Sequence, residues 1–578
     1  MASQSSIEHD IAQITDCLQT LTSKLSAGQI PGDVDRLGSF SKLLIDTSCA
    51  VRSSRNTLAP VNRLPPEILS TIFGLCSIRP FVSAYPAHAP GVFYAPQVLE
   101  TLVMPVCRLW REIALSSATL WADLALFYMQ MYPFCTHFAR NRSAPLNFYS
   151  NFGGEIVPYL LKGQADRLRA LHIRGSPDTY MTIPHIEEIL SCLPRAAHCL
   201  EEFFLHGYAW PDMKSSLVQI FSGSAPRLRI LSLADSPFLP TDHYPNLREL
   251  YLLTDSITVS SADLLTVLRG APMLEHVYIR ARMLDPPGVG ASGDRSVTLA
   301  HLRKLVLHLG ADPSPLLSLL ILCPTCLIRL EELDVREVSR CVAALERHLD
   351  TRQLTRLSLA MGRVLLAPEY EGSLYITLCN ASVDSGLQVG LRYDYDHSFR
   401  FAFLRAIPEV FRSSPLYANV KELTISARRD LVDYTFLNSL PSLTTLNHIF
   451  DRHSMRKARH SNAARVPILA QRSPDGTGIC TGLRTLYFIE CGVEELKDAR
   501  EIVDYRRREG YPIARLGIAC AAHLEQDAYA FGKLVDHLDL EFYDSSGYED
   551  VRDGLPEGGW RTHSGRARFH WPQWPRFH

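Results

Sequence analysis

The segment 228–252, LRILSLADSPFLPTDHYPNLRELYL, contains one six-residue frame twice, as LRILSL from Leu228 and as LRELYL from Leu247. The first, fourth and sixth positions of both copies are leucine. Alternate side chains of a strand point to opposite faces, so the fourth and sixth positions share one face. The frame therefore predicts a short strand with one buried leucine face and one outward face.

The same frame, or a close variant, recurs along most of the chain. Further copies begin at Leu168, Leu200, Leu274, Leu302, Leu330, Leu354, Val420 and Leu483. The first eight starts are 32, 28, 19, 27, 28, 28 and 24 residues apart. Such a period indicates stacked units, because one unit cannot bury its leucines alone. With helix-like stretches between the copies, the pattern predicts an α/β solenoid of irregular leucine-rich repeats over residues 145–545.

The residues that alternate with the leucines are rich in His, Arg and aromatic side chains. These residue types anchor protein interfaces. We therefore expect the outward, concave side of the sheet to bind a protein substrate, although most of these side chains could instead be solvated with only two or three important. The candidates are His172, Arg174, Phe204, His206, Tyr251, His276, Tyr278, Arg280, Lys304, His308, Asp334, Arg336 and Arg356.

Residues 1–58 predict a short helical or coiled segment. Apolar residues spaced by 4, 3, 4, 3 and 4 form a seam of just under three heptads. The seam consists of Ile7, Ile11, Ile14, Leu18, Leu21 and Leu25. Two interpretations stay open, namely packing against the rest of the chain and self-association through a coiled coil.

Residues 60–125 predict a separate helical module. Its halves are NRLPPEILSTIF from Asn62 and VCRLWREIALSSATLWADL from Val106, with a loop at 77–96 between them. In this order the two halves resemble an F-box. Together with the coil-like segment before them and the irregular leucine repeats after them, they are similar to the large F-box families of mushroom-type fungi.

The resemblance implies a substrate receptor of a Skp–cullin–F-box ubiquitin ligase. An F-box of this family docks on a Skp-type adaptor and, through it, joins a cullin and a RING subunit. The positions that would form or support the docking faces are Leu64, Pro65, Ile68, Leu69, Phe73, Val106, Leu109, Trp110 and Ile113. Two alternatives stay open. These side chains could be only core for the N-terminal helices, or the chain could be a leucine-repeat scaffold that binds the Skp-type adaptor yet recruits nothing for degradation.

Composition and missing motifs limit the other functions. The net charge is −2, which gives no electrostatic reason to bind nucleic acid or a membrane. No apolar run reaches the roughly 18 residues of a membrane helix. Fourteen scattered cysteines without an export signal predict reduced thiols and a cytoplasmic or nuclear location.

Motifs of catalysis are also missing from the sequence. There is no Gly-x-Ser-x-Gly, no His-Glu-x-x-His and no phosphate-binding loop. Cys323 and Cys326 form a single Cys-x-x-Cys, which we interpret as two thiols beside an apolar run rather than a metal site. We therefore expect a non-catalytic adaptor without metal or cofactor, followed at 546–578 by a flexible tail rich in Trp, Arg and His.

Overall fold

The structure is a computed structural model. It describes residues 2–29, 34–76, 99–126, 131–150, 163–174, 198–207, 213–214, 216–221, 225–236, 238–283, 296–346, 348–349, 353–363, 372–380, 382, 385–391, 417–426, 434–449, 468–472, 478–543, 560–561 and 567–569. By its internal contacts the chain divides into two compact units. The first comprises Met1–Pro80, Tyr94–Trp121 and Ala139–Arg142, and the second comprises the remainder.

The first unit is helical, as the sequence predicts for this part of the chain. Its helices are α1 (Ala2–Ser26), α2 (Val34–Leu58), α3 (Pro66–Cys76) and α4 (Arg108–Ser116). Short helical turns cover Pro60–Arg63, Leu99–Val103 and Ala118–Trp121. The predicted loop at 77–96 lies outside the described residues.

The rest of the chain is dominated by strands. The described helices there are α5 (Met131–Asn141), α6 (Ser261–Arg269), α7 (Ser314–Leu317), α8 (Val335–Leu345), α9 (Val493–Arg508) and α10 (Glu525–Tyr529). The strands up to residue 299 are β1 (Asp123–Leu126), β2 (Leu146–Ser150), β3 (Leu168–Arg174), β4 (Glu202–His206), β5 (Met213–Lys214), β6 (Ser216–Val218), β7 (Ile230–Ala234), β8 (Phe238–Pro240), β9 (Glu249–Val259), β10 (His276–Met283) and β11 (Val297–Leu299). The later strands are β12 (Lys304–His308), β13 (Leu320–Leu322), β14 (Leu327–Leu333), β15 (Leu354–Arg363), β16 (Gly372–Asn380), β17 (Gly386–Leu391), β18 (Glu422–Ser426), β19 (Thr445–Ile449), β20 (Thr485–Cys491), β21 (Arg515–Ala521), β22 (His537–Tyr543), β23 (Trp560–Arg561) and β24 (Ala567–Phe569).

Eighteen of these strands form one large mixed sheet. Pairing runs in the order β1-β2-β3-β4-β7-β9-β10-β12-β14-β17-β16-β15-β18-β19-β20-β21-β22, and β5 pairs with the end of β9. Neighbours are parallel except that β16 is antiparallel to both β15 and β17. The fold is therefore an α/β arrangement in which strands follow one another in nearly sequential order.

The leucine frames form the core of this sheet. In each predicted frame except the one at Leu330, the first, fourth and sixth side chains are buried. Leu231, Leu250 and Leu305, which all hold the fourth position, are completely buried. Register explains this, because the strand pairings align the fourth positions of neighbouring strands, as in Leu231 with Leu250.

The frame at Leu330 is wrong in its register. Leu305 pairs with Ile328 and Leu307 pairs with Leu330, so Ile328 and Leu330 are the true fourth and sixth positions. The predicted strand instead runs into a helix start, where Asp334 caps α8. Arg336 consequently lies in α8 and not on the sheet, which corrects its assignment, and that of Asp334, to the outward face.

The predicted tail at 546–578 is described only at β23 and β24, which pair in antiparallel fashion, and the remainder of the tail lies outside the described residues.

Among the helices of the described segments, none has both the length and the apolar character that crossing a membrane requires.

Candidate functional site

Helix α3 begins at a pair of prolines. Pro66 takes the first helical position, where its missing N–H is not needed. The carbonyl of Pro65 accepts hydrogen bonds from the backbone N–H groups of Ile68 (3.0 Å) and Leu69 (3.1 Å). This turn sends two adjacent side chains to different environments, since Ile68 is 48% exposed and Leu69 is fully buried.

The inner side of α3 packs into a hydrophobic core of the helical unit. The core consists of Leu69, Phe73, Leu99, Val103, Ile113, Ala114, Leu120 and Trp121. The ring of Phe73 lies 4.9 Å from the ring of Trp110, measured between centroids. The indole N–H of Trp110 donates to Oδ1 of Asn62 at 2.6 Å. These contacts fix α4 against α3 and against the turn that precedes α3.

The outer side of α3 carries exposed apolar side chains, which we call the α3 stripe. The stripe consists of Ile68, Ile72 and Leu75. Spacings of four and three residues put Ile68, Ile72 and Leu75 in line on one helix face. Leu75 is 82% exposed. Contiguous exposed apolar surface on a small unit is typical of a protein-binding site.

Of the predicted adaptor-binding positions, some lie at the surface and others do not. Those at the surface are Leu64, Pro65, Ile68, Val106 and Leu109. Trp110 is half-buried, and Leu69, Phe73 and Ile113 are buried in the core. The last three lie in the core beneath the exposed positions, where they would support a docking face without contacting a partner. Exposed Ile72, Leu75 and Leu102 were not among the predicted positions, although helical spacing from Ile68 points to the first two.

The outward face of the sheet places many of the predicted substrate-binding residues in one line. We call this line the central row. It runs through Tyr149, His172, Phe204, Ser232, Tyr251, Tyr278, Val306, Arg329 and Gln388, which are paired in register from strand to strand. The sequence therefore places His172, Phe204, Tyr251 and Tyr278 on one surface, as predicted.

Aromatic side chains of the central row stack on one another. The rings of His172 and Phe204 lie 4.0 Å apart between centroids, and those of Tyr251 and Tyr278 lie 4.6 Å apart and are almost parallel. Tyr149 packs edge-on against His172 at 4.8 Å. These predicted side chains are buried, each less than a tenth exposed. The alternative that these side chains are solvated is therefore wrong for these four residues.

A second row lies two residues before the central row along each strand and carries paired charges. The pairs include Nδ1 of His276 with Glu249 at 3.7 Å and Arg356 with Glu422 at 3.1 Å. The Tyr251 hydroxyl also donates to Glu249 at 2.7 Å. The nearby His276, followed by the hydrogen bond from Tyr251, lowers the pKa of the Glu249 carboxyl despite its partial burial. Lys304 aligns with His276 in this row.

A third row lies two residues after the central row along each strand and contains basic side chains. It aligns Arg174 with His206, and Arg280 with His308. Nε2 of His308 lies 3.0 Å from Glu332. His206 is buried, and its Nε2 lies 3.1 Å from the Ser232 hydroxyl. Burial, reinforced by the charges of Arg174 and His172, lowers the pKa of His206 to about 3.

The central row continues beyond the residues that the sequence singled out. Gln388 donates to the Thr377 hydroxyl at 2.9 Å. Further on, Tyr487 aligns with Gly517, and a Cβ atom at position 517 would collide with the Tyr487 ring. Glycine thus lets an aromatic ring lie on the neighbouring strand. The sequence around Gly517 does not predict the contact with Tyr487, because the two residues lie on different strands.

Within the part of the chain that the structure describes, no group of three or more His, Cys, Asp or Glu side chains could hold a metal ion. Cys326 is fully buried and Cys323 is half-buried. Burial raises the pKa of the Cys326 thiol well above its ordinary value, so this thiol is kept protonated.

Comparison with models of protein families finds no match to this chain. Comparison with curated protein sequences also finds none.

Proposed function

We propose that the chain is a substrate receptor of a Skp–cullin–F-box ubiquitin ligase. The observation that carries the proposal is the α3 stripe. A core already exists beneath it, yet Ile68, Ile72 and Leu75 remain exposed on one helix face. A small helical unit with leftover apolar side chains gains free energy by covering them with a partner.

Position within the sequence supports an F-box for this unit. The exposed Leu64 and Pro65 precede the stripe, and Val106 and Leu109 are exposed in the second half of the F-box resemblance. The partner that the resemblance implies is a Skp-type adaptor, which would connect the chain to a cullin and a RING subunit. The ubiquitin-transfer chemistry would then belong to these partners.

The second unit supplies the substrate-binding part of the proposal. We interpret its sheet as a solenoid of irregular leucine-rich repeats, because buried frames recur along the chain and their strands pair in nearly sequential order. Its outward face carries the aromatic central row between two charged rows. Since the stacked rings are buried, recognition would depend on the half-exposed charged residues around them, including His276, Arg280 and Lys304. Binding a substrate there would raise the effective concentration of its lysines near the ubiquitin carrier.

Titration with a purified Skp-type adaptor tests the docking step. We expect Ile68→Ala combined with Leu75→Ala to weaken binding at least tenfold, because two truncated apolar contacts together exceed the roughly 1.4 kcal/mol that corresponds to a tenfold change. The matched control is Ile321→Ala in the second unit, where an isoleucine is exposed to a similar degree, at 45% against 48% for Ile68. The control should bind like the parent.

Two results would contradict the proposal. A parent chain that does not bind the adaptor would overturn the F-box assignment. A chain that binds the adaptor, but brings down no cullin and raises the ubiquitination of no co-purified protein, would be the non-degradative scaffold instead. Affinity purification with the proteasome blocked distinguishes a receptor from a scaffold.

A further inference from the structure

Helix α1 exposes an apolar seam that the first unit leaves uncovered. Ile11, Ile14, Leu18 and Leu25 are exposed, the first two by 58% and 52%, and Leu21 is half-buried. The seam has the 4-3 spacing of a coiled coil, in which each helix requires a second helix with the same spacing. A helix of 25 residues is about 37 Å long, which is enough for three heptads.

We propose that α1 pairs with α1 of a second copy of this chain, and that the two helices run antiparallel. In that orientation every seam position faces an apolar position. Ile11 faces Leu21 and Ile14 faces Leu18, and the two-fold axis repeats each layer once. A second copy is the partner that matches the seam over its full length.

Charge complementarity decides the orientation. In the antiparallel register that aligns the seam, Asp10 of one helix flanks Lys24 of the other, and the two-fold axis makes this pair twice. Both side chains are exposed. In a parallel pair, Asp10 would instead face Thr15, and Lys24 would lie about 21 Å away along the helix. The antiparallel pair is therefore favoured electrostatically.

Thr15 and Thr22, on the other flank of the seam, have hydroxyls that are hydrogen-bonded within α1. The Thr15 hydroxyl donates to the carbonyl of Ile11 at 2.7 Å, and the Thr22 hydroxyl donates to the carbonyl of Leu18 at 2.8 Å. Hydroxyls that are already satisfied within the helix cost less to remove from water. Their methyl groups then widen the apolar surface that the second helix would cover.

An antiparallel pair also suits the connection to the rest of the chain. Each copy continues from the carboxyl end of α1, so the two remainders leave from opposite ends of the pair. A parallel pair would release both from the same end. The pair would present two α3 stripes per assembly, but it does not depend on what those stripes bind.

Sedimentation of the full chain tests the pairing. We expect the parent to form a dimer at about 10 µM, and Ile14→Asn with Leu18→Asn to raise the dimer dissociation constant by at least about a hundredfold, since both central layers are lost. The control is Leu43→Asn with Ile45→Asn on α2, where both residues are exposed by about 60%. It carries the same helix-propensity penalty and should remain dimeric.

Charge swaps test the orientation. Asp10→Lys alone and Lys24→Asp alone should each raise the dissociation constant by about fivefold through two like-charged contacts, and the double variant should restore it. Additive effects of the two changes would overturn the antiparallel register.

Cross-linking gives an independent check of the register. The antiparallel pair brings the two exposed Cys17 thiols together beside the two-fold axis. A short bismaleimide should therefore link two chains, Cys17→Ser should abolish the link, and Cys49→Ser should not. A parent that stays monomeric at about 100 µM, an α2 control that dissociates as readily as the α1 variant, or cross-linking that survives Cys17→Ser would overturn the proposal.

Discussion

Arg506 shows how a charged side chain becomes part of the core. Its guanidinium is fully buried and donates to the carbonyls of Ile479 at 2.9 Å and Cys480 at 2.8 Å. These bonds offset the cost of removing the charge from water. Burial nevertheless lowers the pKa of Arg506. Nothing in the run Arg506–Arg508 distinguishes its first member, because the partners come from a segment about 25 residues earlier.

His206 makes the stability of the sheet depend on pH. Its pKa is about 3 in the folded chain, against an ordinary value of 6.5, mainly because it is buried. Below pH 6.5 the unfolded chain takes up a proton that the folded chain does not, so the free energy of unfolding falls as the pH falls. Between pH 7 and pH 5 this residue should cost about 2 kcal/mol of stability.

Chemical denaturation at the two pH values measures this effect. In His206→Gln the loss of unfolding free energy between pH 7 and pH 5 should be smaller than in the parent by about 2 kcal/mol. His243→Gln changes an exposed histidine and should leave the pH dependence as it is in the parent. Equal pH dependence of the parent and His206→Gln would show that His206 is protonated without disturbing the fold.

At the level of elements, the sequence predicts where strands occur better than it predicts the residues at which they begin and end. The frames locate the strands because their leucines must be buried, and burial repeats with the stacking period. The frame at Leu330 fails because three apolar positions with the frame's spacing, Leu330, Leu333 and Val335, also occur out of register where β14 ends and α8 begins. The capping box of Asp334 and Glu337 was the signal that would have corrected it, since it starts a helix at Val335.

The docking surface shows a similar limit. The sequence places Ile68 and Leu69 in the same helix, and the F-box resemblance assigns both to the adaptor. Which of the two faces solvent depends on where α4 packs, and that contact joins segments about 40 residues apart, as between Phe73 and Trp110. Sequence reasoning could therefore name the helix but could not divide its residues between core and surface.

Ile68 and Leu69 offer a direct test of that division. Leu69→Ala should destabilise the helical unit by about 2–5 kcal/mol, because it opens a cavity under α3. Ile68→Ala should change the unfolding free energy by less than about 1 kcal/mol, since the side chain is half in solvent. Denaturation followed by the fluorescence of Trp110 and Trp121 measures both. Equal destabilisation by the two substitutions would mean that Ile68 is also a core residue.

For the whole molecule, the sequence predicts a helical part followed by repeated strands, and the structure contains both. The frame did not predict that β16 runs antiparallel to β15 and β17 within an otherwise parallel sheet, because the frame encodes buried positions and not strand direction. The outward rows followed from alternation alone, whereas their burial arises from stacking across strands. Contacts between residues that are distant in the sequence thus account for most of what sequence reasoning missed.

The two units have separate hydrophobic cores, and this predicts how the full chain unfolds. Leu69 belongs to the core of the helical unit, and Leu305 belongs to the continuous core of the sheet. Both side chains are fully buried, so each change to alanine should cost about 2–5 kcal/mol. Since a core stabilises the unit it fills, Leu69→Ala should lower the temperature of one calorimetric transition and Leu305→Ala that of another.

Calorimetry of the full-length parent and both variants provides the measurement. The sheet transition should carry most of the unfolding enthalpy, because enthalpy scales with the number of residues that unfold. Ile321→Ala, an exposed position on the sheet unit, serves as the control and should move neither transition by more than about 1 °C. A single transition that shifts by the same amount in Leu69→Ala and Leu305→Ala would show that the two cores unfold as one cooperative unit.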